Sequence, residues 1–359
     1  MIVRTLNPHS RVELPDSPPD FKRHHQTVGR VSVLTEVSAG TGCSDTSFWC
    51  QVPRPPDTKL IRQAKQDSLT FTCLIWKGGI APLIEWTAVQ KQRLQELGAT
   101  EAQLAATFKS AEERNRAYQS LEQELVARGL ELLLQYRSTI KQPALIRLEK
   151  SLTETLTAAG FSQVTTPILL SKGLLAKMTI TEEHPLFKQV FWLDERKCLR
   201  PMLAPNLYYM LKDLLRLWPH PVSIFEIGPC FRKDTQGGKH QQEFTMLNLV
   251  EMGLPQEQCS ARLKELAALV LKTAGINNYT VETETSDVYG ETIDLVKDDL
   301  ELGSGAMGPH PLDANWGITV PWVGIGFGLE RLIMAKEGHS NIQRAGRSLT
   351  YLNGTRLNI

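Results

Sequence analysis

Gly324-Ile325-Gly326-Phe327-Gly328-Leu329-Glu330-Arg331 sets bulky apolar residues between glycines and ends on an acid beside a base. This alternation reads as a strand with one bare face, where a ligand can lie against the backbone. The run from Leu329 to Met334 reads as a helix start, so Arg331 stands where strand hands over to helix. A guanidinium there suits a phosphate, because its planar fork donates two parallel hydrogen bonds. A second arginine, Arg232, follows the apolar run Phe225–Phe231, and Phe244 opens another run that reaches Glu251. Between them lies a polar loop, Asp234 to Gln242, rich in Gly, Gln, Lys and His. The pattern predicts a long hairpin. An arginine and an aromatic ring at one hairpin mouth can hold a phosphate and stack a base.

The elements that position these residues are partly readable. A helix over Ala144 to Ala159 ends at Gly160, as C-terminal glycines permit. The next segment, to Leu170, reads as an edge-type strand carrying Pro167. Helices are expected at Leu207–Trp218 and Gln256–Ala274, with strands between them. This mix predicts an α+β fold with an antiparallel sheet flanked by helices. From Trp86 to about Lys141 the reading is helical, with Thr100 as a cap and Leu121, Leu125, Leu132 and Leu133 on an apolar stripe. Residues 1–82 are rich in Pro, Ser, Thr and Gly and carry no motif. Three parts are therefore expected: an extension over 1–82, a helical region over 83–141 and a chemistry-bearing domain over 142–359.

With 42% hydrophobic and 22% charged residues, 359 residues can bury a substantial core. The net charge of +1 gives no global signal for nucleic acid. Locally the charge is uneven. Residues 282–301 hold eight acids against one lysine, and residues 331–359 hold five Lys/Arg against one glutamate. An acidic segment beside a phosphate site offers oxygen ligands to magnesium, and a basic tail can meet RNA phosphates. The six cysteines do not form a disulfide framework. Cys43, Cys50 and Cys73, with His24 and His25 upstream, lack zinc-ligand spacing. The start, Met1 to Pro8, lacks the apolar core of a signal peptide, and no apolar run approaches a membrane span. A cytoplasmic protein is expected.

In their order and separation, the segments around Pro167, Arg232 and Glu330-Arg331 resemble motifs 1, 2 and 3 of the class II aminoacyl-tRNA synthetases. Cys198-Leu199-Arg200-Pro201-Met202-Leu203-Ala204-Pro205-Asn206-Leu207-Tyr208, Phe244 to Asn248 and Pro321 to Gly324 are similar to the pyrrolysyl-tRNA synthetase family. So are Val288-Tyr289-Gly290, Asp299 to Leu302 and Arg347 to Gly354. The similarity runs from about Trp86 to Ile359. It most resembles the bacterial form, in which the catalytic part and a tRNA-binding domain are separate polypeptides.

The resemblance implies an ATP- and Mg2+-dependent ligase that attaches pyrrolysine to its amber-decoding tRNA through a pyrrolysyl-adenylate. Arg232 would meet the α-phosphate and the substrate carboxylate, Arg331 the γ-phosphate, and Phe244 the adenine. Glu301 and Ser304 would hold Mg2+. Asp234 stands where the family has glutamate, one methylene shorter in reach. The implied amino-acid pocket is Met202, Leu203, Ala204, Leu207, Tyr208, Leu211, Asn248, Val250, Tyr289, Trp322 and Gly324. There Asn248 would bond the side-chain amide, and Tyr289 would sit on a closing flap. Arg344, Arg347 and Arg356 are the expected tRNA contacts. Implied partners are the tRNA, a second copy of the chain joined through motif 1, and a separate tRNA-binding protein. Two other readings remain: a phenylalanine-type relative, and a silent paralogue that only binds tRNA. The segment from Met202 to Leu211 argues against the first, and the presence of both arginines against the second.

Overall fold

The structure is a computed structural model that describes residues 83–233, 237–286 and 288–359. The extension over 1–82, with its cysteines and histidine pair, lies outside the described residues, and so does Asp234.

Seven strands form the main sheet. They are β1 (Ser162–Gln163), β2 (Val222–Phe231), β3 (Glu243–Met252), β4 (Thr280–Ser286), β5 (Gly290–Lys297), β6 (Leu300–Gly308) and β7 (Trp322–Gly328). Their order across the sheet is β1-β2-β3-β7-β6-β5-β4. Only the β1–β2 pair is parallel, so the sheet is the mostly antiparallel one expected. The arginine hairpin forms as predicted, pairing from Val222↔Met252 to Phe231↔Glu243.

The six longer helices are α1 (Ala88–Leu97), α2 (Ala111–Gln135), α3 (Ala144–Ala158), α4 (Ala204–Leu217), α5 (Cys259–Thr273) and α6 (Leu329–Glu337). Helices α3, α5 and α6 cover one face of the sheet. Leu152, Leu156, Leu263, Val270, Leu332 and Ile333 pack there against Leu247, Leu249, Ile325 and Phe327. Each such fully buried side chain contributes roughly 1.5–3 kcal/mol. Helix α4 covers part of the other face through Leu207, Tyr208 and Leu211. A third core, around Trp86, Leu94, Phe108 and Leu125, holds α1 to α2. Thr100 caps a short helix through its side chain, as expected. Leu132, placed on the apolar stripe by spacing, is instead exposed.

The expected edge strand through Pro167 is split in two. The chain pairs with β2 only at Ser162–Gln163, and Leu169–Ser171 then pairs with Lys197–Leu199 in a separate ribbon. Proline has no N–H to give a ladder, and Pro167 falls in the gap. The helix over Gln256–Ala274 begins as a 3-10 turn, and α5 proper starts at Cys259.

The C-terminal segment ties the helices to the sheet. A hairpin of Tyr351–Leu352 and Thr355–Arg356 turns through Asn353 and Gly354, both at positive φ (48° and 80°). Pro143 offers α3 no capping side chain, and Asn353 Oδ1 accepts from Ala144 N at 2.8 Å in its place. Arg356 pairs with Glu96 at 2.8 Å, and Arg93 donates to Asn358 O at 3.0 Å.

Candidate active site

A cavity of about 760 Å³ opens on the α4 side of the sheet. Strand register builds its floor. Asn248, Gly326 and Ser304 lie side by side in one row, and Val250, Gly324 and Ala306 in the next. Met252, Trp322 and Gly308 make a third. The glycines of β7 leave the centre of the first two rows bare, as the sequence predicts. A Cβ on Gly326 would meet Asn248 Oδ1 at 2.8 Å, so this glycine lets the amide lie across the strand. A Cβ on Gly308 would collide with the Trp322 indole.

One end of the cavity carries cations. Arg232 donates from Nε to Pro201 O at 2.9 Å, and its guanidinium lies 5.4 Å from the Phe244 ring. Arg331 sits in the first turn of α6 and donates from Nη1 to Glu301 Oε2 at 3.0 Å and to Glu301 O at 3.1 Å. Lys239 closes the rim by donating to Asp299 O at 2.9 Å. Beneath Arg331, the buried Glu330 accepts from Thr245 N through both oxygens at 2.9 Å. Burial pushes the Glu330 carboxyl upward, against the pull of that N–H.

The other end is apolar and aromatic. Tyr208 stacks on Trp316 at 5.4 Å and meets the edge of Trp322 at 5.9 Å. Tyr289 lies 6.0 Å from Trp322 and 5.9 Å from His310. Its loop is held by Ser286 Oγ, which accepts from Val288 N and Tyr289 N. Asp313 organises this wall from behind. It accepts from Tyr208 Oη at 3.1 Å, Trp322 Nε1 at 2.8 Å and His310 N at 2.7 Å. Burial pushes both phenols, Tyr208 and Tyr289, well above the ordinary tyrosine value. They stay protonated donors at neutral pH.

Of the residues proposed from sequence, Met202, Ala204, Leu207, Tyr208, Arg232, Phe244, Asn248, Val250, Tyr289, Glu301, Ser304, Trp322, Gly324 and Arg331 line this one cavity. Leu203 and Leu211 do not; both are fully buried in the core beside α4. The missed lining residues include Met246 and Met252. Phe244, Asn248 and Val250 alternate on β3, and the period of two points to the methionines as well. Ala306, Lys239 and His240 also line the cavity and carried no signal beyond position.

The three C-terminal arginines, expected on tRNA phosphates, have partners inside the fold. Arg344 donates to Gln95 O and Glu96 O at the end of α1, and burial lowers its pKa. Arg356 holds Glu96. Arg347 donates to Thr245 Oγ1 at 2.8 Å and lies 3.8 Å from the buried Glu330. Replacing Arg347 by alanine should therefore lower the melting temperature and change ATP-site kinetics together. An effect confined to RNA binding would return it to a surface role.

The described cysteines 198, 230 and 259 are buried. Burial pushes Cys198 up to about 11 and Cys230 up to about 12. Both should resist iodoacetamide at pH 8 in the native protein and react after denaturation. Peptide mass spectrometry reads the difference site by site.

Residues 130–352 match the model of the tRNA synthetases class II core domain (F). A crystal structure of pyrrolysyl-tRNA synthetase from Desulfitobacterium hafniense is 55% identical, with a TM-score of 0.74, over 77% of this chain and 99% of that one. The chain belongs to the pyrrolysyl-tRNA synthetase family of class II synthetases. A second structure from that organism is 52% identical, again with a TM-score of 0.74. It covers 79% of this chain and 99% of its own. More distant is the histidine--tRNA ligase of Thermosipho africanus, 24% identical over 171 residues, which are 42% of this chain and 41% of that protein. The chain spans less than half the length of the curated relatives it matches. Among the described residues no helix is long and apolar enough to cross a membrane.

Proposed function

We propose that this chain activates pyrrolysine with ATP and transfers it to its cognate amber-decoding tRNA. The observation that carries this reading is a single cavity with arginines at one end and a deep aromatic wall at the other. In the first step a carboxylate oxygen of the amino acid attacks the α-phosphorus of ATP. The bond to the bridging oxygen breaks, and pyrophosphate leaves. In the second step a ribose hydroxyl of the tRNA attacks the acyl carbon, and AMP leaves. Neither step needs a protein nucleophile; both need two anions aligned and spread charge stabilised. Arg232 holds the α-phosphate and the carboxylate, and Arg331 the far phosphate. Phe244 offers its ring to the adenine. The wall of Tyr208, Trp322 and Leu207 takes the long acylated side chain by burial, and Asn248 bonds its amide.

The half-exposed Glu301 carboxylate and the Ser304 hydroxyl fit Mg2+, which takes few protein oxygens and keeps its waters. Bound there, the ion would neutralise phosphate charge. Arg331 would then exchange Glu301 for phosphate. A second copy of the chain is the proposed cover for Ile168 and Leu169, which are 41% and 53% exposed beside Pro167. A separate tRNA-binding protein remains the proposed companion, acting with the tRNA in the cytoplasm. Asp234 is proposed to help hold adenine, and the extension over 1–82 to be dispensable for chemistry.

Pyrophosphate exchange with a panel of amino acids tests the reading. Exchange is expected with pyrrolysine and with simpler acyl-lysines. Exchange with phenylalanine but none with pyrrolysine would overturn it.

A further inference from the structure

Arg200 is 2% exposed and faces Glu226, 1% exposed, at 2.7 Å. The pair lies beside the cavity, outside its lining. Glu226 stands opposite Asn248 in the strand register, so it extends the row of Asn248, Gly326 and Ser304 by one strand. The guanidinium does more than neutralise this acid. Nε donates to Pro229 O at 2.8 Å, and Nη1 donates to Thr166 Oγ1 at 3.0 Å and Thr166 O at 3.2 Å. Thr166 in turn donates from Oγ1 and N to the two Glu226 oxygens, at 2.7 and 3.0 Å. Asn206 of α4 closes the network, donating from Nδ2 to Thr166 Oγ1 and to Pro167 O, both at 2.9 Å.

This network reaches Arg232 by short covalent steps. Arg200 O accepts from Phe231 N at 3.0 Å, and the next carbonyl, Pro201 O, accepts from Arg232 Nε at 2.9 Å. Pro229, Phe231 and Arg232 are thus all bonded to residues 200 and 201. Beyond the Phe231–Glu243 pair one further backbone bond, from Arg232 N to Gln242 O at 2.9 Å, holds the main chain of Arg232. The side chain of Arg232 is aimed by Pro201, and Pro201 is held by the buried fork of Arg200. Gly228 makes room for that fork, since a Cβ there would collide with Arg200 Nη2.

We propose that Arg200 is a positioning residue, whose fork sets the aim of Arg232 by locking the Thr166–Pro167 segment, helix α4 and strand β2 into one register. The inference rests on the ATP-site reading of Arg232. A fork can satisfy Pro229, Thr166 and Glu226 together, whereas a lysine keeps the charge but cannot span all three.

Two variants test it. Gly228→Ala pushes a methyl group into the fork, where its nearest neighbours are Arg200 and Glu226. Arg200→Lys keeps the charge opposite Glu226. The readouts are the melting temperature, the ATP dissociation constant by calorimetry, and the kcat and KM of pyrophosphate exchange. Both variants should still fold but melt below the parent, because buried groups of the network lose or strain their bonds. Exchange kcat should fall by up to about a hundredfold, the effect of misplacing a reacting group from a distance. ATP should bind about tenfold more weakly, and the KM for the amino acid, whose carboxylate Arg232 also meets, should rise far less than kcat falls. A folded variant with the parent's kcat and ATP affinity would overturn the proposal. So would an amino-acid KM that rises as much as kcat falls, because the whole cavity would then have loosened. If one variant does not fold, the other decides. If neither folds, the network holds the domain rather than Arg232, and the proposal fails. If the parent exchanges no pyrrolysine, the substrate reading fails, yet ATP titration of the variants still reads the aim of Arg232. A parent that binds no ATP removes both.

Discussion

Replacing Arg331 by alanine will stop adenylate formation and leave the fold intact. Arg331 opens α6, and its guanidinium bonds only Glu301 among the described contacts, both through the carboxylate and through the carbonyl. Most of its value is therefore available to a ligand. Losing a charge-assisted contact to phosphate at the transition state costs roughly 3 kcal/mol or more, about a hundredfold in rate. The packing of α6 does not depend on this side chain, since Leu329, Leu332 and Ile333 carry its buried face. Circular dichroism and melting should match the parent. Near-normal exchange in the folded variant would make Arg331 a packing residue and leave the phosphate without a clamp at that end.

The second large effect is expected at Asp313, which touches no substrate in this reading. Its carboxylate satisfies Tyr208 Oη, Trp322 Nε1 and His310 N at once. Asp313→Ala orphans buried donors at roughly 1–3 kcal/mol each. The aromatic wall should loosen, with the melting temperature falling and the amino-acid KM rising by about tenfold or more, as lost binding rather than lost chemistry. ATP affinity should hold, because Arg331 and Phe244 lie at the far end of the cavity. An unchanged amino-acid KM with weakened ATP would show that Asp313 serves the phosphate end instead.

What the sequence made legible was whatever repeats over a short range. Alternation exposed the bare face of β7, and paired apolar runs exposed the β2–β3 hairpin with Arg232 and Phe244 at its mouth. The helix after Gly328 followed from the same pattern. The resemblance supplied the pocket, and most of those residues converge on the cavity. Leu203 and Leu211 do not, because both are packed wholly into the core beside α4, and a family resemblance does not mark where cavity gives way to core. Asp313 was invisible for a different reason. It meets Tyr208 across 105 residues of chain, and a single aspartate in a short 3-10 turn carries no periodicity. The fork of Arg200 was hidden in the same way, inside a quoted stretch but with its partners at Thr166 and Glu226. The partners of Arg344 and Arg356 on α1 were equally hidden, because a basic tail carries no sign of which distant groups it meets.

The Asn-Gly hairpin near the end of the chain has a consequence for how the protein is made. Asn353 caps a helix that begins 209 residues earlier, and Arg93 reaches across 265 residues to Asn358 O. On the ribosome the helices from Ala88 to Ala158 emerge long before the segment that fastens them. Contacts of such separation slow folding, and partly finished chains expose apolar surface. Those helices will wait, with Leu94 and Leu125 in one core but α3 uncapped, until Asn353 has been made and has left the exit tunnel. Nascent-chain length should therefore set a sharp threshold for protease resistance of the helical region, at the length that brings Asn353 out of the ribosome.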